Sequence, residues 1–570
     1  MCEMTQPADR QRREFLRSAL ATTALAAATG LYVPGRGNAQ TGPNHAAFAP
    51  DLHIELRAAR DEVRIRSGAP THVWRYHGRV VKGDTRALEF LSYLPLLRVQ
   101  RGQKVRIELV NELSESTIIH WHGLYVPAAM DGHPRYAIGR GGRYVYEFEV
   151  RNRAGTYWFH PHPDGRTGKQ VYFGMAGVLI VSDDEESAAA LPGGDYDIPL
   201  VIQDRRFDDD NQLIYLPGDD SNSMMDEGRT GRGMMGGEGM MGRGMMGRGM
   251  MGRGMMGGMG SMMARMMGFL GDRILVNGKP DFVLPVESRP YRLRLLNGSN
   301  TRIYKLAWSD GSPATVIGTD GGLLEKPLTR RYVTLAPAER VELWADFSDR
   351  SIGAERTLQS VSFAGDMAMG GMMDGSMMQS MMGTMMGDLP SGAPFPILTA
   401  RVERRSGAKV ALSQKLSAIE SPRAGDAINF RAPKIFNITM GMMIWGINGR
   451  SFEMESVAGE ESVRLDTAEI WEFRNDAGTG MMGMMAHAMH VHGLQFRILD
   501  RSVKPQLSSG RDSVSAGYVD AGWKDTVLIM PGERVRILLR FEHYPGIFLY
   551  HCHMLEHEDS GLMRNYLIKD

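Results

Sequence analysis

The residues with the clearest chemical potential lie near the end of the chain, in the segment His551-Cys552-His553-Met554-Leu555-Glu556-His557. Successive side chains of a β-strand point to opposite faces, so His551 and His553 should share one face while Cys552 points to the other. A thiolate at Cys552 could then hold one metal ion while its two neighbours hold others. The covalent path from sulfur to imidazole would be short, as expected of an electron-transfer enzyme.

Other histidines occur in the same spacing. Four His-x-His pairs are present: His120/His122, His160/His162, His490/His492 and His551/His553. A single pair is a weak sign of metal binding, because two histidines in a strand are more often a surface feature or a hydrogen-bonded core feature. Four pairs use eight of the 16 histidines, and His487 and His557 stand beside the third and fourth pairs. This clustering predicts metal ligands.

The ten histidines and Cys552 divide into two kinds of site. His487, Cys552 and His557 supply the two imidazoles and one thiolate of a trigonal blue-copper site, which transfers electrons. The eight paired histidines can bind three further copper ions, two with three imidazoles each and one with two.

These motifs resemble those of the multicopper oxidases, a family that includes laccases and copper efflux oxidases. The matching motifs are His120-Trp121-His122-Gly123, His160-Pro161-His162, His487-Ala488-Met489-His490-Val491-His492-Gly493 and His551-Cys552-His553 through His557. Their order is that of the family. Segments 165–171 and 556–559 resemble the bacterial periplasmic copper efflux oxidases, which oxidise Cu(I).

The resemblance implies four copper ions with ligands assigned motif by motif. The type 2 copper would take His120 and His490, the type 3 pair would take His122, His160 and His553 on one ion and His162, His492 and His551 on the other, and the type 1 copper would take His487, Cys552 and His557.

The axial position of the type 1 site departs from the efflux oxidases, which place Met five residues after the last histidine. That residue here is Leu562, and Met563 follows it. Leu cannot coordinate, and loss of a soft axial donor should raise the type 1 potential. A shift of register would present Met563 instead, but adjacent residues normally face apart, so Leu562 is expected at the copper.

The resemblance also implies proton-transfer and substrate residues. Asp131 and Glu558 match acids that the family places near the three-copper cluster, where they would deliver protons; either carboxylate alone would more often be a surface charge. Met485 matches a methionine associated with Cu(I) entry. The acid expected two residues before it is Gly483, and nearby methionines could substitute: Met481, Met482 and Met484.

The chain repeats one β unit three times. Alternating strands that end in Asn are predicted at 105–111, 292–297 and 469–475, and each is followed by a Gly or Pro turn and a second strand, at 142–150, 337–347 and 531–541. Short alternating strands of this kind indicate β-sandwiches. We expect an all-β chain of three consecutive Greek-key sandwiches, which the family resemblance implies are cupredoxin-like. Their predicted bounds are 45–188, 189–400 and 401–570.

The paired histidines fall in the first and third units only. The second unit has Ser299-Asn300-Thr301-Arg302 after its asparagine, without a histidine. The three-copper cluster should therefore form where the first and third units meet, with the second unit as a platform.

Two methionine-rich inserts interrupt the second unit, at 224–268 and 365–388. Their glycine content rules out a stable core or a long helix. A flexible linker is the simplest interpretation. Ordinary linkers use Ser, Glu or Lys, however, and thioethers prefer Cu(I), so we expect these inserts to recruit copper.

The N-terminus resembles a twin-arginine export signal over residues 1–39, with Arg12-Arg13 before a mild apolar run. The run is too short and too rich in Ala and Thr for a membrane anchor, which must cross about 30 Å. We expect passage through the twin-arginine translocase, a periplasmic location and a monomer. Cys2 lies inside the signal, so the mature chain has one cysteine and no internal disulfide. The formal net charge of zero suggests no nucleic-acid partner.

These observations predict an oxidase that couples four one-electron oxidations, most simply of Cu(I), to reduction of O2 to water. A laccase-like oxidase of phenols or Mn(II) is an alternative within the enzymes, and a non-enzymatic copper-sequestering protein is a second.

Overall fold

The computed structural model describes residues 48–216, 265–364, 389–408, 410–420, 422–441, 444–476 and 485–570. These residues belong to one compact unit, Ala39–Asp570. The predicted export signal, the insert at 365–388, residues 224–264 of the longer insert, and Met481, Met482 and Met484 lie outside the described residues.

The first β-sandwich contains the strands β1 (Leu52–Val63), β2 (Thr71–Lys82), β3 (Leu88–Leu91), β4 (Leu94–Gln100), β5 (Lys104–Asn111), β6 (Ile119–His122), β7 (Arg143–Glu149), β8 (Gly155–Pro161) and β9 (Gly177–Ser182). Its sheets have the orders β2-β1-β5-β7 and β3-β4-β9-β8-β6. Strand β5 alternates between buried and more exposed residues, because one face covers the core and the other faces solvent.

The second sandwich contains β10 (Asp197–Arg205), β11 (Arg273–Val276), β12 (Lys279–Pro280), β13 (Val283–Glu287), β14 (Pro290–Asn297), β15 (Tyr304–Trp308), β16 (Ala314–Thr319), β17 (Gly322–Arg330), β18 (Val333–Leu335), β19 (Arg340–Asp346), β20 (Glu355–Ser360) and β21 (Phe395–Arg404). Its sheets are β12-β11-β10-β14-β19-β16-β17 and β13-β21-β20-β15-β18. Every residue of β14 is buried, since the first sandwich covers its outer face. There Glu342 accepts hydrogen bonds from Arg292, from Arg294 and from Thr156 of the first sandwich.

The third sandwich contains β22 (Lys434–Gly441), β23 (Ile444–Ile447), β24 (Ser462–Arg464), β25 (Thr467–Arg474), β26 (His487–Val491), β27 (Phe496–Val503), β28 (Thr526–Ile529), β29 (Glu533–Phe541), β30 (Gly546–Cys552) and β31 (Met563–Lys569). Its sheets are β23-β22-β25-β29-β27 and β24-β31-β30-β26-β28. The three sandwiches confirm the all-β prediction. Each has its own large apolar cluster.

The asparagines that end the repeated strands occupy equivalent positions. The side-chain amide of Asn111 donates to the Ile138 carbonyl, that of Asn297 to Leu335 and that of Asn475 to Ile529, at 2.8, 3.0 and 3.3 Å. Each asparagine also donates its backbone N–H to a carbonyl at or just before the start of the antiparallel partner strand, which is β7, β19 or β29. One local structure is thus used three times, as the sequence repeat predicts.

Short helices lie between strands: α1 (Thr167–Tyr172), α2 (Asp184–Ala188), α3 (Ser508–Asp512) and α4 (Leu555–Asp559). Asp559, at the end of α4, accepts the backbone N–H groups of Thr167 and Gly168 in α1, both at 2.9 Å. The first and third sandwiches are therefore joined directly beside the histidine pairs. Within the described ranges, no helix has the length and apolar character needed to cross a bilayer.

Candidate metal centre

Strand pairing brings the four His-x-His motifs together. His120 on β6 lies opposite His160 on β8, and His490 on β26 lies opposite His551 on β30. The second member of each pair except His122 lies just beyond its strand; β30, for example, ends at Cys552 rather than at His553. All eight paired histidines are fully buried.

Ring nitrogens of the first sandwich face ring nitrogens of the third. The Nε2–Nε2 distances are 3.3 Å for His120–His490, 3.3 Å for His160–His553 and 3.4 Å for His162–His551. Within the third sandwich, the Nε2 atoms of His492 and His551 are 2.9 Å apart. His120 and His490 are both assigned to the type 2 copper, and His160 and His553 are both assigned to the first type 3 ion. The contacts of His551 with His162 and with His492 join the three histidines assigned to the second type 3 ion.

The opposite ring nitrogens show which tautomer is present. His120 Nδ1 lies 2.7 Å from the Asp131 carbonyl, and His490 Nδ1 lies 2.8 Å from the Asp525 carbonyl. A carbonyl can only accept, so both Nδ1 atoms carry the proton, and each neutral ring presents an Nε2 lone pair to the other. Two lone pairs at 3.3 Å repel unless a cation lies between them. The donor set therefore fits a metal ion.

Burial keeps six of the paired imidazoles neutral, as ligands must be. Loss of solvent, reinforced by the neighbouring imidazoles, lowers the pKa values of five of them well below the usual range: His122, His160, His490, His492 and His553. Burial lowers the pKa of His162 to about 3. Neutral nitrogen donors of this density suit copper.

His122 is oriented by a carboxylate that the sequence did not single out. Its Nε2 lies 3.0 Å from Asp525 Oδ1, which leaves Nδ1 buried and without a hydrogen-bond partner. Nδ1 is therefore the atom available to a metal. Asp525 is held by Arg340, a buried residue of the second sandwich. A residue that fixes a ligand in this way sets both its tautomer and its direction.

The two acids assigned to proton transfer contact ligand histidines. Asp131 Oδ2 lies 2.8 Å from His492 Nδ1, and its Oδ1 is buried without a hydrogen-bond partner. Glu558 Oε2 lies 2.9 Å from His551 Nδ1. Burial opposes ionisation of Glu558, but the His551 and His162 rings hold its pKa below the usual range.

His487, Cys552 and His557 form a second site on the other side of Cys552. The Cys552 Sγ lies 3.5 Å from His487 Nδ1 and 3.8 Å from His557 Nδ1, and all three residues are fully buried. Burial raises the pKa of the Cys552 thiol to about 12 and lowers that of His557 to about 3. A thiolate here requires a cation, which fits the assigned blue-copper site.

The register of β30 and β31 decides whether Leu562 or Met563 faces the type 1 copper. Met563 pairs with His551 across β30 and β31, so it lies on the face of the three-copper cluster. Leu562, whose carbonyl accepts the Cys552 N–H at 3.0 Å, belongs with Cys552 to the apolar cluster of the third sandwich. The register thus presents Leu562 to the blue-copper side. The Trp445 ring covers the same site, with its centroid 4.8 Å from those of His487 and His557.

Comparison with known proteins agrees with this geometry. Residues 90–186 and 427–570 match the multicopper oxidase family. The fold is similar to that of the multicopper oxidase McoA of Aquifex aeolicus, with 30% identity, a TM-score of 0.69, and coverage of 92% of this chain and 97% of that one. The chain belongs to the multicopper oxidase family. This multicopper oxidase is also 29% identical over 471 residues to the multicopper oxidase mco of Staphylococcus aureus, covering 82% of this chain and 80% of that protein. It is 27% identical over 544 residues to the laccase of Bacillus subtilis (strain 168), covering 88% and 91%.

Family membership confirms the predicted enzyme class and cofactors. This multicopper oxidase is an oxidoreductase with type 1, type 2 and type 3 copper centres, and it uses O2 and a reducing substrate. When bound, the copper ions accept single electrons and pass them to O2. Cys552 joins the two sites, because its backbone continues directly into His551 and His553.

Sequence reasoning missed several residues at the site: Arg340, Trp445, Asp525 and Glu556. None belongs to a His-x-His pair, and Arg340, Trp445 and Asp525 reach the site from other parts of the chain. Glu556 was the most accessible to sequence reasoning, because it stands directly before His557.

Proposed function

We propose that this multicopper oxidase oxidises Cu(I) to Cu(II) for copper detoxification, with O2 as the electron acceptor. The observation that carries the proposal is the position of the described end of the longer methionine-rich insert. Met266 is buried, and its backbone lies close enough to the His557 ring to oppose the lowering of the His557 pKa by burial. Met267 packs against the apolar cluster that contains Cys552. The insert therefore leads to the copper site that accepts electrons.

Met485 is the one candidate Cu(I) ligand from the segment 481–485 that lies among the described residues. Its side chain is buried in the apolar cluster with Cys552 and Trp445, and its carbonyl accepts the Asn475 amide at 2.6 Å. Its role as a substrate ligand stays a prediction. The inserts supply the thioethers that recruit Cu(I).

Protons reach the cluster through the two acids in this proposal. Glu558 Oε2 lies 2.9 Å from His551 Nδ1 and Asp131 Oδ2 lies 2.8 Å from His492 Nδ1, so each acid is in direct reach of a ligand ring and can relay protons toward the cluster. Asp131 Oδ1 has no hydrogen-bond partner among the described residues, so it is free to accept from a water molecule that supplies protons to the cluster. Neutral replacements, Asp131→Asn and Glu558→Gln, should slow O2 consumption while leaving the blue type 1 absorption in place.

The substrate is tested by comparing two reductants. Residues 224–260 are replaced by a Gly/Ser segment of equal length, and turnover of Cu(I) is compared with that of a small phenol. Cu(I) turnover at low concentration should fall by about tenfold or more through lost local concentration, while phenol turnover survives or rises. Equal losses on both reductants would show that the insert supports folding only.

A laccase-like activity on phenols or Mn(II) is the second candidate. It is favoured by the similarity to the laccase of B. subtilis and by Leu562, because a site without an axial thioether should have a high potential. Under this alternative the intact enzyme turns over phenols efficiently, and anaerobic titration with Cu(I) followed by O2 uptake gives no faster oxygen consumption than a phenol does.

We further propose that the enzyme is a monomer and reaches the periplasm through the twin-arginine translocase. The paired arginines and the mild apolar run of residues 1–39 support this route. Replacing both Arg12 and Arg13 with Lys should leave the protein in the cytoplasm, as measured by cell fractionation with and without the translocase.

A further inference from the structure

Glu556 is a buried carboxylate with an unusual set of partners. It lies on α4, is 1% exposed, and forms no ion pair with Lys or Arg among the described residues. Its oxygens instead accept four hydrogen bonds, from Tyr215 Oη at 2.7 Å, Asn300 Nδ2 at 2.8 Å, Thr301 Oγ1 at 2.6 Å and the Phe269 backbone N–H at 3.2 Å. A buried carboxylate is stable only when its oxygens are satisfied in this way. All four donors come from outside the third sandwich.

Two of these donors flank the longer insert. Tyr215 lies just before residues 217–264 and Phe269 lies just after them. Their rings are 5.2 Å apart, and both contact the Tyr172 ring of α1. The two ends of the insert therefore meet at one carboxylate.

The other two donors come from the loop after Asn297. Asn300 and Thr301 lie three and four residues after Asn297, in the loop before β15. The Asn300 carbonyl also accepts the Leu555 N–H at 3.1 Å, so the start of α4 rests on this loop. This loop of the second sandwich thus binds both the Glu556 carboxylate and the start of α4.

Glu556 directly precedes the type 1 ligand His557, and the backbone of Met266, in the described end of the insert, lies near that ring. We propose that Glu556 is a positioning residue that fastens both ends of the methionine-rich insert to α4, and thereby fixes His557 and the insert relative to each other. This inference rests on the proposed delivery of Cu(I) by the insert. The same contacts hold the type 1 ligand His557, and a change in its position can be measured from the type 1 spectrum without any substrate.

The carboxylate is required because a neutral amide cannot accept from all four donors. Glutamine has one oxygen, so its NH2 group would face either Asn300 Nδ2 or the Phe269 N–H, and neither can accept. Glu556→Gln should therefore free one end of the insert with little change in side-chain size. Glu469→Gln is the matched control, since Glu469 is a buried carboxylate of the third sandwich that binds Lys434 and Trp471.

The test uses the full-length, copper-loaded enzyme. In Glu556→Gln we expect faster hydrogen exchange in residues 210–216 and 265–271, a shifted type 1 visible and electron paramagnetic resonance spectrum, and a rise in the KM for Cu(I) of about tenfold, the scale known for residues that orient metal ligands. The KM for a small phenol should change much less. Thr301→Val should produce the same changes as Glu556→Gln, but smaller ones. Thr301→Ser keeps the hydroxyl donor and should behave like the parent enzyme.

Unchanged exchange and spectra in Glu556→Gln, or the same changes in Glu469→Gln, would overturn the positioning role. If the parent enzyme does not oxidise Cu(I) but exchange and spectra shift as expected, the proposed substrate fails while the positioning role stands.

Discussion

Arg340 of the second sandwich donates from Nη1 to Asp525 Oδ1 of the third at 2.8 Å, and the same oxygen lies 3.0 Å from His122 Nε2 of the first. Three sandwiches thus meet at one carboxylate oxygen. Gly123 permits the approach, because a Cβ there would lie 2.4 Å from Asp525 Oδ2. None of the eleven assigned copper ligands lies in the second sandwich, yet Arg340 of that sandwich determines the orientation of one of them.

Asp525→Asn should impair the three-copper cluster without affecting the type 1 site. The amide can present a donor to His122 Nε2, which disturbs the tautomer that leaves Nδ1 free for copper. We expect about a 10- to 100-fold loss of activity or of type 2 and type 3 copper affinity, as for other residues that orient metal ligands. Copper content and the type 3 near-ultraviolet absorption measure the effect.

Asp520→Asn is the control for that substitution, because Asp520 binds Arg501 and no assigned ligand. Loss of blue absorption in Asp525→Asn would contradict the separation of the two sites, and so would an equal loss of copper in Asp520→Asn.

Cys552→Ser should abolish the blue colour and the oxidase activity together. Serine is a poor ligand for this copper, and electrons from an external reductant then lack an entry site. The histidine cluster does not depend on the sulfur, so copper content should fall from four to three per chain. Metal analysis, visible absorption and O2 uptake measure the three effects. Retained turnover would show that electrons reach the cluster without Cys552.

The copper ligands could be predicted because their geometry is local. His-x-His places two imidazoles on one face of a strand whatever surrounds it, and Cys552 between His551 and His553 links two faces. The threefold repeat could also be predicted, because Asn111, Asn297 and Asn475 lie at the ends of equivalent strands. Each forms its side-chain hydrogen bonds within its own sandwich.

The residues that orient the ligands could not be predicted, because their roles arise from contacts between sandwiches. Nothing near Arg340 in the sequence indicates that His122 lies beyond Asp525. Strand β14 gives the same lesson, since Arg292 and Arg294 predict a solvated face, whereas Glu342 and Thr156 cover it. Long-range packing overrides the local pattern in both places.

Leu562→Met should lower the type 1 potential, because a thioether on the Cys552 side adds a soft axial donor. Met563→Leu is the matched control: its side chain lies on the other face of β31, opposite His551, so the potential should hardly move. Redox titration of the blue absorption compares the two. A larger shift in Met563→Leu than in Leu562→Met would mean that Met563 faces the copper.

The metal-free enzyme should lose stability as the pH falls below about 6.5. Burial depresses the folded-state pKa of His133 to about 4, and those of most ligand histidines are also lowered. Between the folded and unfolded pKa values the unfolded chain binds more protons, so the free energy of unfolding decreases as the pH falls. Between its folded and unfolded pKa values, each such histidine changes the free energy of unfolding by ~1.4 kcal/mol per pH unit.

Above pH 6.5 these groups are neutral in both states, so their contribution is fully present and independent of pH. Denaturant unfolding of the copper-free protein between pH 8 and pH 4 measures the profile. His133→Gln, which removes one non-ligand histidine that pairs with Asn565 at 2.9 Å, should reduce the slope by about one histidine's share. A flat profile between pH 6.5 and pH 4 would show that the buried imidazoles gain protons without unfolding, and the lone-pair argument for the copper cluster would then fail.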